Sequence, residues 1–93
     1  MSVKARIEAT LTENLEPERL VVIDESHQHA GHQPHFTGAE GTHMRVRVVS
    51  AKFSGMSRID RHRIVNALLK PELDAGLHAL AVETAAPGEP TNW

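Results

Sequence analysis

Residues 43–50 read HMRVRVVS, and residues 53–70, FSGMSRIDRHRIVNALLK, follow two positions later. The first stretch alternates apolar and polar side chains, which is typical of a half-buried β-strand. In the second stretch a turn containing Gly55 precedes Ser57, which suits the N-cap of a helix. The apolar residues of that helix share one face: Ile64, Val65, Leu68 and Leu69. A strand that leads into a helix therefore decides the fold.

The flanking segments predict the remaining elements. An apolar residue at every fourth position predicts an N-terminal helix that Ser2 caps, with Val3, Ile7, Leu11 and Leu15 on one face. Arg19–Asp24 contains the apolar run LVVI and is predicted as a strand. Residues 72–75 predict a short helical turn, and residues 77–84 predict a third strand. The order is α-β-β-α-(short α)-β, an α+β domain with a three-stranded mixed sheet.

General rules for the connections between strands predict how the three strands are arranged in the sheet. The first two strands are joined directly and should be antiparallel, whereas the crossover helix should make the second and third strands parallel. The end of the first strand and the starts of the other two then lie at one edge of the sheet. We expect His78 to be brought there, beside the loop of residues 25–42.

Length and composition limit the classes of protein. The 93 residues, 40% of them hydrophobic, suit one domain, predicted over residues 1–86 with a flexible tail at 87–93. No apolar run approaches the roughly 20 residues of a membrane span, and no signal-peptide pattern is visible. The chain has no cysteine, which excludes disulfides and fits a cytoplasmic location. No membrane association is expected.

Charge is unevenly distributed. Residues 43–70 contain seven basic residues and one acidic residue, a local charge of +6, while the rest has three basic and eleven acidic residues, or −8. This segregation favours a face for an anion or an acidic partner, although ordinary solvated exteriors explain it equally well. The candidate anion-binding residues are Arg45, Arg47, Lys52, Arg58 and Arg63. Arg61 falls beneath the apolar stripe of its helix, and we expect its side chain to extend past the end of the core.

Histidine is the residue type that points most directly to chemistry. Four of the seven histidines lie in the loop of residues 25–42: His27, His29, His32 and His35. A long loop without periodicity is usually functional or disordered, and imidazole is a common metal ligand. Without cysteine, soft-metal chemistry would take its sulfur from a partner. The simpler interpretation of His43 is a solvated residue, and that of His62 and His78 is partly buried rings held by backbone.

Enzymatic motifs are missing from the sequence. The five serines lie in no nucleophile elbow, and cysteine is absent. No pair of carboxylates sits where one pKa would be raised for acid–base catalysis. The chain is therefore not expected to be an enzyme.

Several motifs together resemble the BolA-like family. Asp24-Glu25-Ser26, a His-bearing loop and Thr42-His43-Met44 match its first half. Phe53-Ser54-Gly55, Arg61-His62-Arg63 and Leu77-His78-Ala79-Leu80 match its second half, so the resemblance runs from Leu20 to about Glu89. It implies a fold similar to the type II KH domain, in agreement with the order of elements above.

The resemblance also implies a partner and a cofactor. The partner is a CGFS-type monothiol glutaredoxin, and the cofactor is a [2Fe–2S] cluster bridged between the two proteins, with glutathione supplied by the partner. His78 would be one ligand and a loop histidine the other, with His29 the best match and His27 or His32 as alternatives. Imidazole ligands raise the reduction potential of such clusters. Alone, the chain is expected to be a monomer without a cofactor.

The family resemblance leaves a second function open. Members are also described as transcriptional regulators, and the basic residues above could contact DNA phosphates. Only three aromatic residues are present, so a surface for stacking bases is poor. A third and weaker interpretation is a zinc- or nickel-binding protein that uses the histidine loop.

Overall fold

The computed structural model describes residues 2–26, 42–91 and 93. Helix α1, Val3–Leu15, begins at Ser2, whose Oγ accepts a hydrogen bond from the Ala5 amide at 3.0 Å. It ends at Glu16, which adopts a left-handed conformation (φ 45°) immediately before Pro17. The predicted apolar face is the buried face, with Ile7, Leu11 and Leu15 in the core.

Three strands form one sheet in the order β1-β2-β3: Arg19–Asp24, His43–Val49 and Ala79–Ala85. β1 pairs antiparallel with β2, and β2 pairs parallel with β3, so the predicted topology is confirmed. The bounds of β1 are as predicted, whereas β3 starts two residues later than residue 77. His78 consequently precedes the strand and does not lie within it.

Two helices cross from β2 to β3 after a 3₁₀ turn at Ala51–Phe53. Helix α2, Arg58–Leu68, is capped by Ser57, whose Oγ accepts from the Asp60 amide at 3.1 Å. Helix α3, Lys70–Ala75, is longer than the predicted turn because it starts at Lys70, with Pro71 in its first turn, where a missing amide costs nothing. Gly76 follows at φ 130°, a conformation that favours glycine.

The helices cover one face of the sheet. Met44, Val46 and Val48 of β2 point towards the helices and pack with Phe53, Val65 and Leu69, all of them 1% exposed or less. The opposite face of β2, with Arg45 and Arg47, carries no helix in the described part of the chain. The α+β class is confirmed, and the core lies in a single layer between sheet and helices.

Arg61 does not extend past the core as expected. The residue is 8% exposed, and its Nη1 and Nη2 donate to the two carboxylate oxygens of Glu89 at 2.6 and 2.8 Å. Its guanidinium also lies 6.0 Å from the ring centroid of Phe53. The expectation was wrong because Glu89 supplies a counter-charge, so the cation can stay inside.

The C-terminal segment contacts the body of the molecule at two places. Glu89 binds Arg61 and also accepts from the Ala86 amide at 3.0 Å. Trp93 stacks on the guanidinium of Arg19, 5.0 Å from the ring centroid. The flexibility of residues 87–93 stays a prediction.

Within the described ranges, no helix has the length and apolar character needed to cross a bilayer.

Candidate functional site at one end of the sheet

The strand ends that the predicted topology places together lie at one end of the sheet. β1 ends where β2 begins, since Asp24 pairs with Met44, and β2 begins where β3 begins, since His43 pairs with Ala79. The described residues that flank positions 27–41, Ser26 and Thr42, both lie at this end of the sheet. The Thr42 carbonyl accepts from the His78 amide at 2.8 Å, so His78 lies at the sheet end where the sequence predicted it.

Ser26 ties the base of that connection together. Its side chain is fully buried, and Oγ accepts from the amides of Thr42 and His43 at 3.0 and 3.2 Å. The Ser26 amide donates to Asp24 Oδ1 at 2.9 Å. Because buried polar groups are costly unless they are hydrogen-bonded, these bonds fix the start of β2.

Thr42 joins the start of β2 to the start of β3. Its carbonyl oxygen accepts from the amides of both His78 and Ala79, at 2.8 and 3.1 Å. Its hydroxyl lies 3.0 Å from Nδ1 of His43 and so orients that ring. The backbones of His43 and His78 are thereby fixed to the same residue.

Two imidazoles face each other at this end. The ring centroids of His43 and His78 lie 6.4 Å apart, and their planes are inclined by 49°. His78 is exposed, which corrects its interpretation as a partly buried ring: Leu77, immediately before it, is the residue that enters the core. His43 is half-buried and hydrogen-bonded rather than simply solvated.

Sequence reasoning missed the proximity of His43 to His78. The signal was present, because parallel pairing of β2 with β3 places the first residues of the two strands side by side. The predicted ligand His29 and its alternatives, His27 and His32, lie outside the described residues.

The described residues do not complete a metal site. In residues 2–26, 42–91 and 93, no three histidine, aspartate or glutamate side chains come close enough to hold one ion. The two imidazoles would therefore need further ligands from residues 27–41, a partner or solvent. Neutral imidazole nitrogen suits zinc, copper, nickel and iron.

A small cleft of about 230 Å³ adjoins the site and shares Thr42 and Leu77 with it. Arg6 of α1 and Glu72 of α3 form its wall through two 2.9 Å hydrogen bonds. The bond to Arg6 lowers the pKa of Glu72 below its ordinary value. The pair links the N-terminal helix to α3 in the cleft that Thr42 and Leu77 also line.

Two of the predicted anion-binding residues lie on the open face of the sheet. Arg45 donates from Nε to Glu25 at 3.0 Å and from Nη1 to Glu83 at 3.3 Å, and Glu25 is the main cause of its raised pKa. Arg47 donates to the other oxygen of Glu83 at 2.6 Å. These carboxylates offset most of the positive charge of this face.

The other three predicted anion-binding residues lie in the connection between β2 and β3. Lys52 is in the 3₁₀ turn and donates to the carbonyl of Asn14 at 2.9 Å. Arg58 and Arg63 are exposed on α2, in the helical layer, where Arg63 lies 3.5 Å from Asp60. The structure thus divides the five residues between two layers and does not bring them to one surface.

A separate cleft of about 420 Å³ lies between α2 and β3. Arg58, His62 and Trp93 are among the residues that line it, and Glu83 contributes an acid. His62 is half-buried there, and neither His43 nor His78 lines this cleft. It provides a matched histidine for testing the site at the sheet end.

Comparison with known proteins gives a consistent result. Residues 11–89 match the family model described as BolA-like protein. A Sinorhizobium protein described as uncharacterized, in the cobS 5′ region, is 68% identical over 93 residues and is covered completely, as is this chain. The chloroplastic BOLA1 protein of Arabidopsis thaliana is 44% identical over 90 residues, which are 91% of this chain but only 54% of that protein.

The fold comparison agrees with the sequence comparison. The solved structure of BolA1 from Arabidopsis thaliana superimposes with a TM-score of 0.85 at 40% identity, covering 98% of this chain and 99% of that one. The similarity therefore includes the helices, the mixed sheet and the strand ends that form the site.

Proposed function

The chain belongs to the BolA-like protein family, and on this premise we propose that it is a non-enzymatic adaptor that binds a CGFS-type monothiol glutaredoxin. In the complex it co-ligates a bridging [2Fe–2S] cluster and serves iron–sulfur trafficking or iron and redox regulation. The observation that carries the proposal is His78, an exposed imidazole whose backbone amide is bound to Thr42 at 2.8 Å.

The donor atoms of this chain fit a cluster site shared with the glutaredoxin better than a cluster site formed by this chain alone. The chain has no cysteine, so the thiolates of the cluster come from the glutaredoxin and its glutathione. This chain supplies imidazole from His78 and from one loop histidine, His29, with His27 or His32 as alternatives. When bound, such a mixed cluster has a higher reduction potential than one held by thiolates alone.

The position of His78 favours docking of a second protein. The residue is exposed and immediately precedes β3 at the end of the sheet, so a partner reaches it without displacing a helix. The cleft beside Thr42 and the Arg6–Glu72 pair offers that partner a concave neighbouring surface. A protein-bound cluster can therefore approach the imidazole from solvent.

The test is anaerobic reconstitution of the protein with a CGFS glutaredoxin, iron, sulfide and glutathione, followed by visible absorption and circular dichroism. We expect a heterodimer whose spectrum differs from that of the glutaredoxin homodimer. His78→Ala should abolish the difference, while His62→Ala should keep it because His62 lies in the separate cleft. An unchanged spectrum in His78→Ala would contradict the assignment.

A further inference from the structure

The free edge of β3 and the cleft beside it have no part in the proposed cluster site. We infer that this edge binds an extended, acidic peptide segment of another protein by strand addition, with Arg58 recognising an acidic side chain of the peptide. The inference goes beyond the adaptor function, because it concerns a different surface and a second kind of partner. It follows from the direction of the β3 backbone groups, the position of the cleft and the charges that line it.

Alternate residues of β3 direct their backbone groups away from the sheet. In a parallel pair of strands, every second residue bonds to the neighbouring strand through both its amide and its carbonyl, and the residues between face the other way. The Ala79 amide and the Ala85 carbonyl form hydrogen bonds with backbone groups at the two ends of β2, at 3.1 and 3.0 Å. The amides and carbonyls of Val82 and Thr84 therefore point to the free edge of the strand.

That edge is open in the part of the chain that the structure describes. The strand order is β1-β2-β3, so β3 has one neighbouring strand, and neither Val82 nor Thr84 forms a hydrogen bond with any other described residue. Each of these residues thus offers an amide donor and a carbonyl acceptor to an added strand. An open strand edge of this kind is a template for pairing with another extended chain.

The cleft between α2 and β3 gives an added strand room along this edge. Its volume of about 420 Å³ is in the usual range for binding pockets. Val82 and Thr84 pair with Val46 and Val48, which are buried beneath the helices, so the side chains of all four lie on the helical side of the sheet. Every second side chain of an added strand points to that same side and so faces α2.

The charges that line the cleft favour an acidic peptide. Arg61 is neutralised by Glu89, with bonds of 2.6 and 2.8 Å, and Glu83 accepts from two arginines on the open face of the sheet. Arg58, exposed in the first turn of α2, has no ion pair or hydrogen bond with any described residue. Its guanidinium is thus left to bind a carboxylate, which it suits through two parallel hydrogen bonds.

The first experiment titrates the whole protein into a short fluorescein-labelled peptide of alternating valine and glutamate and follows fluorescence anisotropy. We expect saturable binding that is weakened about fivefold or more by Arg58→Gln, because a charge-assisted hydrogen bond is lost. Arg63→Gln is the matched control, since Arg63 is exposed on the same helix but does not line the cleft. Glutamine in place of the peptide glutamates should weaken binding to the unmodified protein and have less effect with Arg58→Gln. Equal binding by Arg58→Gln and Arg63→Gln would contradict the role of Arg58.

A second experiment tests strand addition itself. Peptide binding should slow hydrogen exchange of the Val82 and Thr84 amides, and a peptide with N-methylated amides should not bind, because it has no backbone donors. Binding that survives N-methylation, or that leaves these two amides unprotected, would overturn the inference, as would no binding of the peptide.

Other occupants of the edge are distinguished by the same amides. Protection of Val82 and Thr84 by single-stranded DNA, or by self-association of the protein, without any binding of the peptide would assign the edge to that occupant and overturn the inference. Since these experiments contain no glutaredoxin, iron or sulfide, their failure and the failure of the proposed function are observed separately.

Discussion

The guanidinium of Arg61 is a cation held inside the core by a carboxylate 28 residues later in the chain. Glu89 takes two hydrogen bonds from Nη1 and Nη2, at 2.6 and 2.8 Å. Nε is buried and finds no hydrogen-bond partner among the described residues. The hydrogen bonds from Arg61 and from the Ala86 amide lower the pKa of Glu89 to about 2. Losing the carboxylate leaves a buried positive charge without compensation.

Glu89→Gln should therefore be destabilising in a manner that depends on pH. The folded-state pKa of about 2 is below the ordinary value of 4.5, so the carboxylate stabilises the fold above pH 4.5 and this contribution is lost as the pH falls towards 2. We expect the difference in free energy of unfolding between the unmodified protein and the variant to shrink across that window. Urea unfolding at a series of pH values measures it.

The control for Glu89 is Asp74→Asn, which removes the exposed partner of Lys70 within α3. Exposed pairs of this kind contribute little, so the control should follow the unmodified protein. A pH-independent difference for Glu89→Gln would show that the carboxylate charge does not matter to stability.

At the scale of elements, the start of β2 depends on one buried hydroxyl. Ser26 Oγ accepts the amides of Thr42 and His43, the first residues after the loop. Both amides lie just beyond the last residue pair of β1 and β2, which joins Asp24 to Met44. The serine thus extends the hydrogen bonding on the β1 side of β2 to the sheet end where the site lies.

Ser26→Ala should lower the free energy of unfolding by about 1–3 kcal/mol, the cost of leaving buried amides unpaired. Hydrogen exchange of the Thr42 and His43 amides should accelerate more than that of the central amides of β2. Ser54→Ala, at an exposed position in a turn, is the matched control. Unchanged exchange at Thr42 and His43 would mean that Ser26 does not hold the strand.

Local periodicity was sufficient to predict the elements but not their distant contacts. The bounds of β1 and the buried residues of α1 and β2 follow from spacing within a few residues. The Arg61–Glu89 pair joins a helix to a segment beyond the last strand, so no local pattern reports it. The same holds for the His43 and His78 rings, whose proximity depends on strand register.

For the whole molecule, the division of basic residues between two layers bears on nucleic acid binding. Arg45 and Arg47 lie on the open sheet face, where Glu25 and Glu83 compensate them. Arg58 and Arg63 lie on the helical side. A five-phosphate footprint would need these residues on one continuous surface.

Duplex DNA should accordingly bind with a shallow dependence on salt. Five phosphate contacts predict a slope of about −4.5 for log K against log salt concentration, and we expect a slope no steeper than about −2. Fluorescence anisotropy with a labelled duplex at several NaCl concentrations measures it. A slope near −4 that becomes shallower when Arg45 and Arg47 are replaced by Gln would favour the DNA-binding regulator instead.

The helical crossover between β2 and β3 also sets when the site comes into existence. His43 opens the central strand, and His78 immediately precedes β3, with α2 and α3 between them. Parallel pairing of distant segments forms late in folding because the intervening chain must first be ordered. In a chain whose β3 has not yet paired with β2, or has detached from it, His43 and His78 are not held side by side. The arrangement of the two histidines is thus a property of molecules that have finished folding.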